Sequence, residues 1–258
     1  MKKILLIIPL FALVQSSYGQ WKREWSVGYA QAAPMGRMEQ TVDHAHGIAL
    51  DFYLLAPSKR YAVGVDLSYS IYGFSESRQQ YSFPDGTTAD MDINVSNSIL
   101  NGMLSARYNL VKDKALTPYV GIKGGYSGFQ TNLNIYDPDD TDNCEPVETD
   151  LLLADGTWIY SIGGGLSYDL SAVFKKMRSE FLFINLSTYY TQGGDIDYMN
   201  SNESHTNHSN MPSRSQDLEA TFINTQTQVT HKHHVGNVYT NALQMMDFRF
   251  SVAFRSRH

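Results

Sequence analysis

Residues 61 to 71 read Tyr-Ala-Val-Gly-Val-Asp-Leu-Ser-Tyr-Ser-Ile, with a large apolar side chain at every odd position and a small or polar one at every even position. Successive side chains of an extended segment point to opposite faces, so this stretch builds a sheet that is apolar on one face and polar on the other. Asp66 belongs to the polar face, because an isolated carboxylate is costly against hydrocarbon. The pattern recurs in segments near 24–33, 46–55, 91–110, 117–126, 157–170, 182–190 and 242–254. The connections between these eight segments run long, short, long, short, long, short, long, with the long ones at about 34–43, 74–90, 136–155 and 193–241. Short turns at one end and long loops at the other, joining half-apolar strands, predict an all-β chain: an eight-stranded antiparallel up-and-down transmembrane β-barrel.

The N-terminus supports export. Lys2 and Lys3 precede an apolar run from Ile4 to Val14, and Ser16, Ser17 and Gly19 form a small-residue cleavage zone. This predicts a signal peptide at 1–19 and a single mature domain at 20–258. The apolar run is shorter than the roughly 20 residues of a membrane-spanning helix, and no later run approaches that length. Losing Lys2 and Lys3 takes the net charge from −6 to about −8, which argues against nucleic acid as a partner. Cys144 is the only cysteine, so no intramolecular disulfide forms. Tyrosine and phenylalanine supply 17 and 12 residues, and Trp25, Tyr61, Tyr108, Trp158, Tyr168 and Tyr190 fall near predicted strand ends, where membrane interfaces favour them.

Within the 91–110 segment the apolar parity changes near Ser98, from Met91, Ile93 and Val95 to Leu100, Leu104 and Tyr108, which predicts one bulge there. Gly124 and Gly125 predict a second bulge or bend. The last segment sets Met246, Phe248, Phe250, Val252 and Phe254 outward against Asp247, Arg249, Ser251 and Ala253 inward. Leu218 to Val229, rich in Thr and partly alternating, reads as a ninth strand, an extension above the membrane, or loop, and an odd strand number disfavours the first. Eight strands leave an interior wide enough only for side chains or one small ligand. The inward charges Asp51, Asp66, Asp169 and Asp247, facing Arg107, Lys123 and Arg249, are expected to fill it as an ion-paired network rather than leave a general pore.

The segments Tyr61-Ala-Val-Gly-Val-Asp-Leu-Ser-Tyr, Leu116-Thr-Pro-Tyr-Val-Gly-Ile-Lys-Gly-Gly-Tyr and Ser161-Ile-Gly-Gly-Gly-Leu, with the aromatic last strand, resemble the small OmpA- and OmpX-like outer-membrane β-barrels of Gram-negative bacteria. The resemblance implies the outer membrane, periplasmic termini, contact with lipid and lipopolysaccharide, and outer loops free to engage a protein partner. Members end commonly on an aromatic residue, whereas Arg255, Ser256, Arg257 and His258 follow Phe254 here.

Candidate chemistry is sparse. His44 and His46 share a face at the outer end of the second strand, and His231, His233 and His234 fall in the loop before the last one, so the five are weak candidates for a nitrogen-ligated transition metal. Asp137, Asp139, Asp140 and Asp142 are weak candidates for Ca²⁺, without the Gly and closing Glu of an EF-hand loop. Ser, Asp and His are abundant in 199–235, but abundance is not the oriented contact chain of a catalytic triad. The expectation is a non-enzymatic barrel with no cofactor, whose outer loops mediate envelope or protein interactions. The alternatives are a barrel subunit of a larger envelope or secretion assembly, a lipid A-modifying enzyme, and a soluble periplasmic ligand-binding barrel.

Overall fold

The computed structural model describes residues 21–82, 88–136, 146, 148–174, 181–200, 214–224 and 229–256. The predicted signal peptide lies outside the described residues. Among the described residues there are nine strands: β1 (Lys22–Pro34), β2 (Ala45–Leu55), β3 (Tyr61–Ser82), β4 (Thr88–Asn109), β5 (Leu116–Tyr136), β6 (Glu148–Asp169), β7 (Leu182–Asn200), β8 (Arg214–Asn224) and β9 (Val229–Arg255). β1 to β7 and β9 pair antiparallel in sequence order, and β9 closes against β1. Eight strands therefore form the barrel.

The register fixes its dimensions. From Glu24 the cross-strand partners run Tyr53, Gly64, Ser105, Lys123, Ser161, Thr191, Met245 and back to β1 at Pro34. The circuit returns ten residues above its start. With ordinary strand spacings that stagger gives a strand tilt of about 41° and a barrel radius of about 8 Å.

The outer surface is an apolar band. Val63, Leu67, Leu104, Ile122, Ile162, Leu186 and Phe250 are all exposed, Leu104 to 71%. Aromatic pairs bound the band at the turn end, Trp25 with Phe52 at 4.3 Å and Tyr61 with Tyr108 at 5.2 Å, and Tyr126 with Trp158 edge-on at 5.6 Å toward the other. Along tilted β3 the distance from Tyr61 to Ile71 is about 25 Å, the height of the apolar band of an outer-membrane barrel.

Beyond the band the strands continue. β3 and β4 stay paired to Ser82 and Thr88, and β5 and β6 to Ile135 and Glu148. Much of the predicted outer loops at 74–90, 136–155 and 193–241 is thus paired strand, because those polar sequences satisfy their backbone groups against each other above the membrane. The Leu218–Val229 region belongs to such an extension. β8 pairs only with the first half of β9, from Arg214 opposite Tyr239 to Asn224 opposite Val229. β1 stops at Pro34 opposite Met245, and β8 takes up the same edge of β9 higher up. It does not enter the barrel wall.

The bulge predicted in the fourth strand near Ser98 lies opposite that residue, on β3: Ile71 pairs with Ser98 and Gly73 with Asn97. β4 pairs with β5 without interruption from Asp92 to Asn109, and Met91, Val95, Ile99 and Met103 are buried on one parity throughout. The apolar residues change sides because the lumen changes filling above the band, from polar to apolar, while the register with β5 holds. Gly124 and Gly125 also keep an unbroken register; a Cβ at Gly125 would overlap the backbone of Gly102 and Met103, so close strand approach requires glycine there.

Candidate functional site

Three layers of side chains fill the lumen. Alternation along β1, β4 and β9 turns Glu24, Arg107 and Arg255 inward at the turn end, where all three are buried. Arg107 Nη2 donates to Glu24 Oε1 at 3.0 Å, and Arg255 donates to Oε2 from Nη2 at 2.6 Å and from Nε at 3.0 Å. The Arg107 guanidinium lies over the rings of Tyr53 and Tyr119 at 4.7 and 4.9 Å, and that of Arg255 over Phe183 at 4.0 Å. These planar contacts suit arginine and not lysine.

In the middle layer Asp66, fully buried, accepts from Lys123 and from Arg249 Nη1, the latter at 2.6 Å. Arg249 also lies 3.6 Å from Asp51, whose other oxygen accepts from Ser26 at 2.7 Å. Lys123 sits 4.1 Å from the centre of the Tyr189 ring. That ring has room because Gly121 and Gly163, on neighbouring strands, carry no Cβ where it packs. Asp247 accepts from Thr191, which bonds Ser161 at 2.8 Å.

The upper layer is apolar. Tyr72, Ile99, Phe129, Ile196, Tyr239, Leu243 and Met245 converge, and the first connection folds down onto them through a short 3₁₀ turn, Met38–Gln40, with Met38 fully buried. Thr41 hydrogen-bonds the Tyr198 hydroxyl at 2.6 Å and Asn241 donates to it at 2.7 Å, which ties the connection to β7 and β9. A second apolar group, Val95, Leu133 and Met199, lies higher still.

Of the sequence-predicted lumen residues, Asp51, Asp66, Lys123 and Arg249 meet in the middle layer. Arg107 stands apart from them on Glu24, and Asp169 lies at the turn end, where it accepts from the Ser171 amide at 2.9 Å. Glu24 and Arg255 are buried lumen residues that the sequence pattern does not single out. Both sit on the inward parity of their strands, and extending the Asp247, Arg249, Ser251 alternation two residues past Ala253 reaches Arg255.

His44 and His46 are exposed; the His46 Nδ1 bonds the Tyr29 hydroxyl, and the His44 Nδ1 is 3.5 Å from Gln31. His231, His233 and His234 are on β9, not in a loop, because the outer extension pairs them with β8. Among the described residues no three His, Cys, Asp or Glu side chains converge as a metal site. Asp137, Asp139, Asp140, Asp142 and Cys144 lie outside the described residues. A groove of about 550 Å³ opens beside the first connection, between Glu39, Asp43, His44 and His46 on one side and Ile71 to Phe74 on the other. A vestibule of about 260 Å³ opens at the turn end against Arg107 and Arg255.

No protein-family model matches the chain, and no curated protein matches it. Among solved structures it is similar to Ail, the attachment invasion locus protein of Yersinia pestis, at 10% identity and a TM-score of 0.43, over 92% of this chain and 99% of that one. Neisserial surface protein A is similar at 9% identity and 0.42, over 92% and 97%. A major outer membrane protein from Thermus thermophilus is similar at 11% identity and 0.40, over 91% and 99%. A further structure holds Ail with the heparin analogue sucrose octasulfate, at 10% identity and 0.37, over 92% and 99%.

Proposed function

We propose that this chain is an exported, non-enzymatic outer-membrane barrel of a Gram-negative bacterium, with periplasmic termini, a closed lumen and contact with lipid and lipopolysaccharide. It works by holding stiff outer hairpins in place for a protein partner. One observation carries the reading: paired strands rise on the order of 25 Å beyond the apolar band, as the length of β3 past Ile71 gives, and their charges are mostly acidic. Among the described residues of these outer segments are Glu39, Asp43, Glu76, Asp90, Asp92, Glu148, Asp150, Asp155, Asp195, Asp197, Asp217 and Glu219, against Arg37, Arg78, Arg214 and Lys232. Loops carry function when a rigid scaffold presents them, and a single-sign surface steers a partner of opposite sign.

The partner surface is therefore basic. A sulfated polyanion of the kind held in the Ail complex is opposed by this charge. The test is binding of a fluorescent polylysine peptide, and of sucrose octasulfate, to the refolded barrel in neutral detergent. Polylysine binding that weakens with salt and with Asp150→Asn plus Asp155→Asn supports the reading; preference for the sulfated ligand overturns it.

The three filled layers weigh against a general porin, and the exposed apolar band weighs against a soluble ligand-binding barrel, whose apolar face would point inward. One feature favours the second reading, a subunit of a larger envelope assembly. β8 pairs with β9 alone among the described strands, and an open strand edge accepts strand addition from a partner. A partner retained on gentle detergent extraction and lost on deleting 214–224 is the expected outcome of that reading.

A further inference from the structure

The turn-end vestibule combines surplus positive charge with buried donors. Its walls include Arg107, Arg255, Lys59, Lys112 and Lys114, with Asp113 and Asp169 as the acidic members. Each acid is engaged: Asp113 by Lys59 at 2.7 Å and Asp169 by the Ser171 amide. Glu24 below is shared by two guanidinium groups, so with Asp113 and Asp169 counted the five cations face three carboxylates, a surplus of two positive charges. Lys112 and Lys114 are exposed on the turn between β4 and β5, and no ion pair holds either among the described residues. Two buried polar atoms of residues lining the space, Arg107 Nε and Ser167 Oγ, have no hydrogen-bond partner. A buried, charged N–H donor without an acceptor is costly.

We infer that the turn-end vestibule binds an oxyanion, a phosphate or carboxylate group, held between the Arg107 and Arg255 layer and the lysines of the β4–β5 turn. The oxyanion supplies acceptors to donors that the protein leaves unmatched, and its charge balances the surplus. Arginine matches the fork of such a group, while lysine serves as a point charge at the rim. This site is at the opposite end of the barrel from the acidic hairpins and does not rest on their role. Two sources carry the chemistry, free or esterified phosphate and the carboxylate end of a peptide.

The experiment is calorimetric titration of the refolded full barrel in uncharged detergent with inorganic phosphate, with N-acetylglycine and with N-acetylglycinamide as the neutral control. Saturable binding of phosphate alone assigns the phosphate source, and of N-acetylglycine alone the carboxylate source; either supports the site. Lys112→Gln with Lys114→Gln, both on the exposed turn, is expected to weaken binding about tenfold, and Ser167→Ala to weaken it a few-fold. Each variant is first shown to be folded by its heat-dependent gel mobility. Absence of saturable binding by either anion overturns the inference, as does binding that these variants leave unchanged or that the neutral amide matches. Polylysine binding at the outer hairpins stays as in the parent chain in every case, so failure here is distinct from failure of the proposed function.

Discussion

Glu24→Gln keeps the shape of the side chain and removes the negative charge that Arg107 and Arg255 share. Glu24 is 1% exposed and accepts three hydrogen bonds at 2.6 to 3.0 Å, so the variant leaves two guanidinium groups facing one neutral amide. Breaking a buried ion pair by removing one partner costs about 3–5 kcal/mol, because the remaining charge stays desolvated. The neighbouring vestibule admits water to Arg255, which places the expected loss near the lower end, about 3 kcal/mol. With a urea dependence of about 2 kcal/mol per molar, the unfolding midpoint falls by about 1.5 M. The assay is reversible urea unfolding of the barrel in lipid vesicles, followed by tryptophan emission. Asp113→Asn is the control, since its pair with Lys59 is 2.7 Å long but 31% and 58% exposed, and its loss is expected to cost under about 1 kcal/mol. Equal, small shifts in the two variants would refute the claim that the lower layer is a desolvated ion cluster.

Leu104→Arg puts a charge into the middle of the apolar band at a 71% exposed position and is expected to cost about 2–4 kcal/mol of stability in vesicles; a neutral result would contradict the placement of the band. Tyr198→Phe removes the hydroxyl that Thr41 and Asn241 bond, and about 1–3 kcal/mol of local stability should go with it. Faster amide exchange in 37–42 with unchanged exchange in β2 is the sign to look for. At the outer hairpin of β3 and β4, the hydrogen bond from Arg78 holds the Asp92 carboxyl below its usual range. A lowered folded value means that the pair contributes above the ordinary carboxylate pKa and is lost as pH falls through the folded one. Exchange near Arg78 should therefore rise at acid pH, and Asp92→Asn should abolish that dependence.

The barrel wall is legible in the sequence because its lipid-facing side is a simple chemical instruction. The alternation in 61–71 and the Ala56–Arg60 turn set Leu55 opposite Ala62, and every later pair of β2 and β3 follows. The upper lumen is not legible in the same way. Met91, Ile93 and Val95 read as outward apolar residues, since alternation alone does not say which face meets hydrocarbon once a strand leaves the membrane. Val95 is buried inward against Leu133 and Met199, partners that come from other strands, with Ile93 packed on the group. Arg255 reads as tail because the aromatic signal stops at Phe254, although the strand runs one residue further. Glu24 carries the correct parity, but its partners lie 83 and 231 residues away, and no local pattern names them.

The membrane band and the filled lumen are read together by nitroxide labels placed singly at each position from 62 to 71, in a Cys144→Ser background reconstituted in vesicles. Collision rates with oxygen, which concentrates in hydrocarbon, and with a water-soluble nickel chelate report the medium around each label. Strict alternation is expected: oxygen contact high at 63, 65, 67, 69 and 71, and both probes low at 62, 64, 66, 68 and 70, where the lumen is filled. Nickel contact at the odd positions would contradict the membrane band, and nickel contact at the even positions would contradict the closed lumen.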